Sequence, residues 1–222
     1  MKKLGLLVLL LLITVVLAGI YRFNVTNDDI YVEQSDGQVV KYDAIDNKKV
    51  MLTLFGVETD NQWRITLPHS YQAQSQVAVT LTDIRQDSAL PVAIGNYRDG
   101  EEVGQVAVDY SKITPLNLSN RDDQMVFVVP FTVSNQGSGV FYYLGLFNLN
   151  TKQWRMEQLD TLFIGDRVII ESLATDEPFD VSSRLSLRYL EHGEGQSMAE
   201  RANKAVDQLI KVSATSLTMA DH

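Results

Sequence analysis

The sequence predicts an all-β fold, sandwich or barrel-like, and three observations predict it. Short runs rich in Val, Leu and Ile alternate apolar and polar residues with period two, as in "QVAVTLTDI", "GQVAVDY", "QMVFVVPFTV" and "GVFYYLGLF". The runs are separated by segments with hairpin-turn chemistry, such as "DNKK", "ETDN", "NQGSG" and "LNTK". A two-part self-similarity suggests that one β unit of this kind has been copied once. Many short strands at such spacing are the signature of sandwiches and barrels.

The first element is different. Lys2 and Lys3 precede 17 uncharged residues, Leu4 to Ile20, and Arg22 follows. A basic start followed by an apolar run directs export. Two outcomes stay open for residues 1–20. A signal peptide would be cut after Ala18, since Val16 and Ala18 are small enough for the positions flanking a cleavage site. A membrane anchor would stay in place, as the run reaches the short end of the roughly 17–25 residues that span a bilayer. The two lysines would then remain cytoplasmic and the bulk of the chain would lie outside.

Charge narrows the partners. The chain carries 19 basic and 28 acidic side chains, net −9. Residues 1–18 hold two lysines and no acid, so the remainder has 17 basic against 28 acidic groups. Such a surface repels nucleic acid and anionic lipid. With no cysteine, the chain has no disulfide, thiolate metal site, Cys nucleophile or lipidated Cys.

Residues 21–36 read as a linker or first strand. Residues 37–113 read as a first β unit with runs at "KVMLTLFGV", "WRITL", "QVAVTLTDI", "LPVAIGNY" and "GQVAVDY". Residues 124–215 read as a second, with "LFIGDRVIIESL" and "RLSLRYL" among its strands. One segment breaks the style. Ser197 with Glu200 forms a capping box, and Met198, Ala202, Ala205, Leu209 and Val212 recur at helical spacing. A short amphipathic helix over 198–212 is expected, followed by a tail at 216–222.

The two tryptophans, Trp63 and Trp154, are both framed as Gln-Trp-Arg. Chance gives such shared flanks about one time in four hundred at ~5% usage per residue type. Around them Leu52, Leu54 and Phe55 match Leu144, Leu146 and Phe147 at an offset of 92. Val77 matches Val168, Tyr97 matches Tyr189, and Gly100-Glu101 matches Gly193-Glu194, in the same order. The matches suggest an internal duplication in which Phe and Trp pack across a hairpin. Arg64 and Arg155, beside the tryptophans, would lay their stems on apolar surface or offer a guanidinium to a ligand.

The segment from "TLFIGDRVIIESL" to "RYLEHGEGQSMAERANKAV" resembles a C-terminal segment of uncharacterised exported bacterial envelope proteins. Gly165, Asp166, Arg167, Val168, Tyr189, Gly195, Met198 and Ala199 carry the resemblance, over about 45 residues. It departs from that pattern where "ERANK" stands in place of an expected Pro, and where His192 stands in place of an expected basic residue such as Arg. The resemblance implies export and a β fold, and no activity.

Little catalytic chemistry is spelled out. The three histidines, His69, His192 and His222, are too far apart for a helical zinc pair. There is no nucleophile elbow, phosphate loop or dinucleotide glycine pattern. Acidic turns lack calcium-loop spacing. No metal, cofactor or catalytic residue is expected. The residues with binding chemistry are Arg64, Arg155, Asp166, Arg167 and His192. The expected function is that of a non-catalytic envelope or periplasmic β protein that binds or assembles with a protein partner. Two alternatives stay open: an exported small-ligand carrier with a cavity between sheets, or a periplasmic hydrolase using carboxylates such as Asp99 and Glu101, or Glu191 and Glu194.

Overall fold

The computed structural model describes residues 31–33, 39–41, 63–68, 77–85, 91–118, 123–150, 152–153, 155–175 and 183–220, with backbone alone for the first two stretches. The expected signal or anchor segment lies outside them, as do Trp154, His69 and His222. Among the described residues no helix is long and apolar enough to cross a membrane. The fold is nearly all β. The chain divides into two compact units, Met1–Val50 and Met51–His222. In the first, β1 (Tyr31–Glu33) pairs antiparallel with β2 (Val39–Lys41).

The second unit is built on two packed cores. Its strands are β3 (Arg64–Thr66), β4 (Ala78–Thr80), β5 (Asp83–Arg85), β6 (Val92–Asp99), β7 (Glu102–Asp109), β8 (Thr114–Leu116), β9 (Gln124–Asn135), β10 (Val140–Asn150), β11 (Arg155–Asp166), β12 (Ile169–Thr175), β13 (Arg184–Glu191), β14 (Lys204–Val212) and β15 (Leu217–Met219). One sheet runs β11-β10-β9-β7-β6-β5, with β8 also on β9. A second runs β12-β13-β14-β15, and β3 pairs with β4. Every pairing is antiparallel. Strands from both stretches that the sequence divides into units therefore share one sheet, through β7 and β9.

That sheet curls into a ring. β4 and β5 act as one bent strand: the Leu81 N–H donates to the Trp63 carbonyl and the next N–H, of Thr82, donates to the Ile94 carbonyl. The chain thus hands over from β3 on one side to β6 on the other. The ring is completed by a side chain. The Gln158 amide on β11 accepts from the Thr66 N–H at 2.8 Å and donates to the Thr66 carbonyl at 3.2 Å. It satisfies the edge of β3 as a neighbouring backbone would, and leaves less of a free sheet edge there.

Inside the ring lies the first core, with Trp63, Ile65, Val79, Tyr97, Val106, Val108, Phe127, Val129, Phe131, Tyr143 and Phe147 among its members. The second core, including Val126, Val128, Leu144, Leu146, Leu185, Leu187, Tyr189 and Ile210, lies between β9–β11 and the second sheet. Odd-numbered residues of β9 face the ring and even-numbered ones face the second sheet, so β9 and β10 serve both. This is why β9 reads as the continuous apolar run "VFVVPF": residues 126 to 131 are all buried. Pro130 falls where β9 changes neighbours, between the Val108↔Phe131 pair with β7 and the Thr114↔Val128 pair with β8. A residue without an N–H is tolerated at such a break in the ladder.

The expected helix over 198–212 is corrected by the structure. Residues 204–212 are strand β14, paired with β13 from Arg184↔Lys211 to Glu191↔Lys204. The helical stripe is not a core face: Met198 is 37% and Leu209 46% exposed. Val206, Ile210 and Val212, spaced by even numbers, are what pack inward. β-branched residues against a waiting strand prevail over a helical pattern. The capping box survives as an isolated turn, in which the Glu200 N–H donates to the Ser197 carbonyl and the Ser197 hydroxyl accepts from the Ala199 N–H.

Candidate functional site

The residues at 165–168 and 192–203 come together. Gly165-Asp166-Arg167 is the step from one sheet to the other, since β11 and β12 do not pair with each other. Arg167 adopts φ 52°, the left-handed conformation that costs an L-residue roughly 1–2 kcal/mol. What holds it there is explicit. The Arg167 N–H donates to the Val140 carbonyl at 2.7 Å, and Asp166 Oδ1 accepts from the Val140 N–H at 2.9 Å. The guanidinium lies on the Asp166 carboxylate, 3.2 Å from Nη2 to Oδ2. From there Nη1 donates to the Met198 carbonyl at 3.1 Å. Two sequence-distant parts of the resemblance, Asp166-Arg167 and Met198-Ala199, are thus joined by one side chain.

His192 supports the same loop. Its Nε2 lies 2.9 Å from the Glu200 carbonyl, which requires a proton on Nε2. Its Nδ1 is buried with no hydrogen-bond partner among the described residues. Gln196 braces the loop from within, accepting from the Gly193 N–H and donating to the Arg201 carbonyl. Asp166, Arg167, His192 and Gln196 each make at least one hydrogen bond to main-chain atoms of the fold.

Arg64 and Arg155 begin β3 and β11, and both side chains are exposed. Trp63 is 1% exposed and points into the ring, with its indole edge-on to Phe147 at 5.5 Å and to Phe127 at 6.0 Å. The neighbouring Arg64 points the other way, so these two residues form no joint platform. The hairpin contact expected with Phe55, and the surroundings of Trp154, lie outside the described residues.

Of the carboxylates weighed for hydrolysis, Asp99 is buried at the end of β6, whereas Glu101 and Glu194 are exposed in turns. Glu191 pairs with Lys204 at 2.7 Å, and this hydrogen bond and charge raise the lysine's pKa. Sequence reading missed Glu102, which accepts a 2.8 Å hydrogen bond from the Tyr97 hydroxyl. Burial, reinforced by this bond to a carboxylate, pushes the Tyr97 pKa far above the ordinary tyrosine range. Tyr97 stands opposite Gly104, where a Cβ would lie 2.5 Å from the ring. Glycine here makes room for the aromatic ring across the ladder.

Sequence reading also missed Gln158 and Asp160, which stand on the polar-looking stretch "RMEQLD". Asp160 Oδ2 accepts from the Leu217 N–H at 2.7 Å and so ties β15 to β11. With Gln158, it makes β11 a seam for both sheets. Among the described residues no cluster of three or more His, Cys, Asp or Glu is placed to hold a metal ion. Comparison with known proteins returns no matching family model, curated protein or solved structure.

Proposed function

We propose that this is a non-catalytic exported protein of the cell envelope, held there or released by residues 1–20, whose work is protein binding or assembly. The observation that carries the preference over a carrier is the filled ring. Trp63, Phe127 and Phe147 are each at most 1% exposed and lie in ring-to-ring contact where a ligand cavity would be. Preference over a hydrolase rests on the carboxylates weighed for it: Asp99 is buried while Glu101 is exposed in a turn, and Glu191 is paired with Lys204 while Glu194 is exposed. That leaves the outer surfaces for function.

The proposal includes the duplication. In its support, Arg64 and Arg155 each begin a strand, and Val77 and Val168 each come immediately before one. Tyr97 and Tyr189 are each buried on a strand that pairs with the next long strand. The second copy has a longer connection: residues 192–203 join β13 to β14 where residues 100–101 join β6 to β7.

In-cell crosslinking of the tagged full-length chain, followed by mass spectrometry, tests the binding role. Reproducible enrichment of an envelope protein is the expected result, and repeated failure to enrich any would overturn it. A phosphatase fused to the C-terminus is expected to be active outside the cytoplasm. An inactive fusion with intact protein would refute export.

A further inference from the structure

The outer face of the β12–β15 sheet carries a pattern that suits a second copy of itself. Along β14 the outward residues are Ala205, Asp207, Leu209 and Lys211, all exposed. Leu209 is 46% exposed, and its neighbours across the ladder are small: Ser186 on β13, and beyond it Ala174 on β12. An apolar side chain therefore stands proud of a shallow step. Asp207 lies two residues before it and Lys211 two residues after, so the strand presents acid, apolar, base at equal spacing.

Lys211 has no acidic partner among the described residues. Its direct cross-strand partner is Arg184, a like charge, and such pairs are destabilising. Neither Lys211 nor Arg184 forms an ion pair among the described residues. This cationic spot is conspicuous on a chain with net charge −9. Asp207 is loosely engaged, 3.9 Å from Arg188 with its side chain 71% exposed.

We propose that two copies of this chain associate through this face, with β14 stacked antiparallel on β14 about a twofold axis crossing the strand at Leu209. A twofold lying in the interface plane and perpendicular to the strands reverses strand direction and keeps each strand over its equivalent. Leu209 then meets Leu209 of the partner subunit, and Lys211 meets Asp207 of the partner subunit, twice over by symmetry; on β13 the same rotation sets Arg184 over Arg188 of the partner subunit, whose charge Glu171 of the partner subunit offsets at 3.1 Å. Each lysine gains the carboxylate that its own sheet does not provide. Edge-to-edge pairing at the same residues is blocked, because β15 occupies that edge at 210–212 and the Ala220 N–H donates to the Leu209 carbonyl. Four strands about 4.8 Å apart give a face on the order of 500 Å². That is less than the ~800 Å² per partner of a standard stable interface. The contact is accordingly weak, concentration-dependent and weakened by salt. It goes beyond the envelope-binding reading and stands without it.

The chain has no cysteine, so a single introduced thiol reports this geometry in the full-length protein. Facing sheets stand about 10 Å apart, which suits a short bismaleimide rather than a direct disulfide. Leu209→Cys is expected to give crosslinked homodimer at about ten times the yield of Lys152→Cys, an exposed turn position away from this face, a ratio equal to ~1.4 kcal/mol of contact. Added to Leu209→Cys, either Lys211→Asp or Asp207→Lys alone should lower the yield to that of Lys152→Cys. Mixing the two charge variants should restore it, because each then presents the complement of the other. Equal yields from Leu209→Cys and Lys152→Cys would overturn the proposal. So would a mixture of the charge variants that crosslinks no better than either alone, each variant having the unfolding midpoint of its parent.

Discussion

Replacing Gln158 by alanine tests how the ring closes. The side chain makes two hydrogen bonds to the main chain of Thr66 and a third to the Thr161 hydroxyl. Each hydrogen bond contributes about 0.5–1.5 kcal/mol net, and a donor or acceptor left unsatisfied in a buried setting costs about 1–3 kcal/mol. Thr66 is half-buried, so water relieves part of the loss. The expected destabilisation is therefore about 2–4 kcal/mol. At a urea m-value of about 2 kcal/mol/M, the unfolding midpoint falls by roughly 1–2 M. Trp63 reports the event directly, since it adjoins β3 and packs in the ring, and a Trp154→Phe background makes it the only indole. Gln158→Glu keeps the size and the acceptor but loses the donor to Thr66, and should cost about half as much. A Gln158→Ala protein within about 0.5 kcal/mol of its parent would show that β3 is held by packing alone, and the account of closure would be wrong.

Other expectations follow from the corner and from the buried phenols. Arg167→Ala loses the guanidinium contacts and keeps the left-handed strain, whereas Arg167→Gly loses the same contacts and relieves it. The glycine variant should therefore be the more stable of the two by about 1 kcal/mol in urea unfolding; equal midpoints would deny the strain at this position. Tyr97, Tyr142, Tyr143 and Tyr189 all have pKa values raised, by burial above all. A group whose folded pKa exceeds its unfolded value contributes stability that is complete below the unfolded pKa and is lost as pH rises through the folded one. Stability should thus be insensitive to these phenols below about pH 10 and fall above it. In a tyrosinate absorbance titration, four of the nine tyrosines should ionise late and together with unfolding. All nine ionising near the ordinary value in the folded protein would contradict the burial assigned to them.

Much of the fold was legible where one residue type has one use. Period-two alternation marked the strands, and the apolar run of β9 marked a strand, though not that both its faces would be covered. Trp63 was legible as core material because large aromatic side chains dominate burial. The C-terminal segment misled because Met198, Ala202, Ala205, Leu209 and Val212 do lie on one helical stripe. Only the ladder offered by β13 decides that Val206, Ile210 and Val212 turn inward instead. Gln158 and Asp160 could not be read at all. A polar residue on an edge strand ordinarily faces water, and what makes these two structural is the arrival of Thr66 and Leu217, distant in sequence. The candidate site was legible as a list and not as an arrangement. "GDR" stood out, but its role as a bracket for Met198 depends on a sheet-to-sheet step that local sequence does not encode.

One pair of strands, β9 and β10, belongs to both cores and binds them into a single cooperative unit. Leu187 is fully buried in the second core and contributes nothing to the first. Leu187→Ala should cost about 2–5 kcal/mol. The most direct measurement is the urea midpoint of that variant, read by Trp63 fluorescence in the Trp154→Phe background and by far-ultraviolet circular dichroism. Both signals should shift to lower urea by the same amount, in one coincident transition. A Trp63 transition that stays at its original midpoint while the circular dichroism separates into two steps would contradict it.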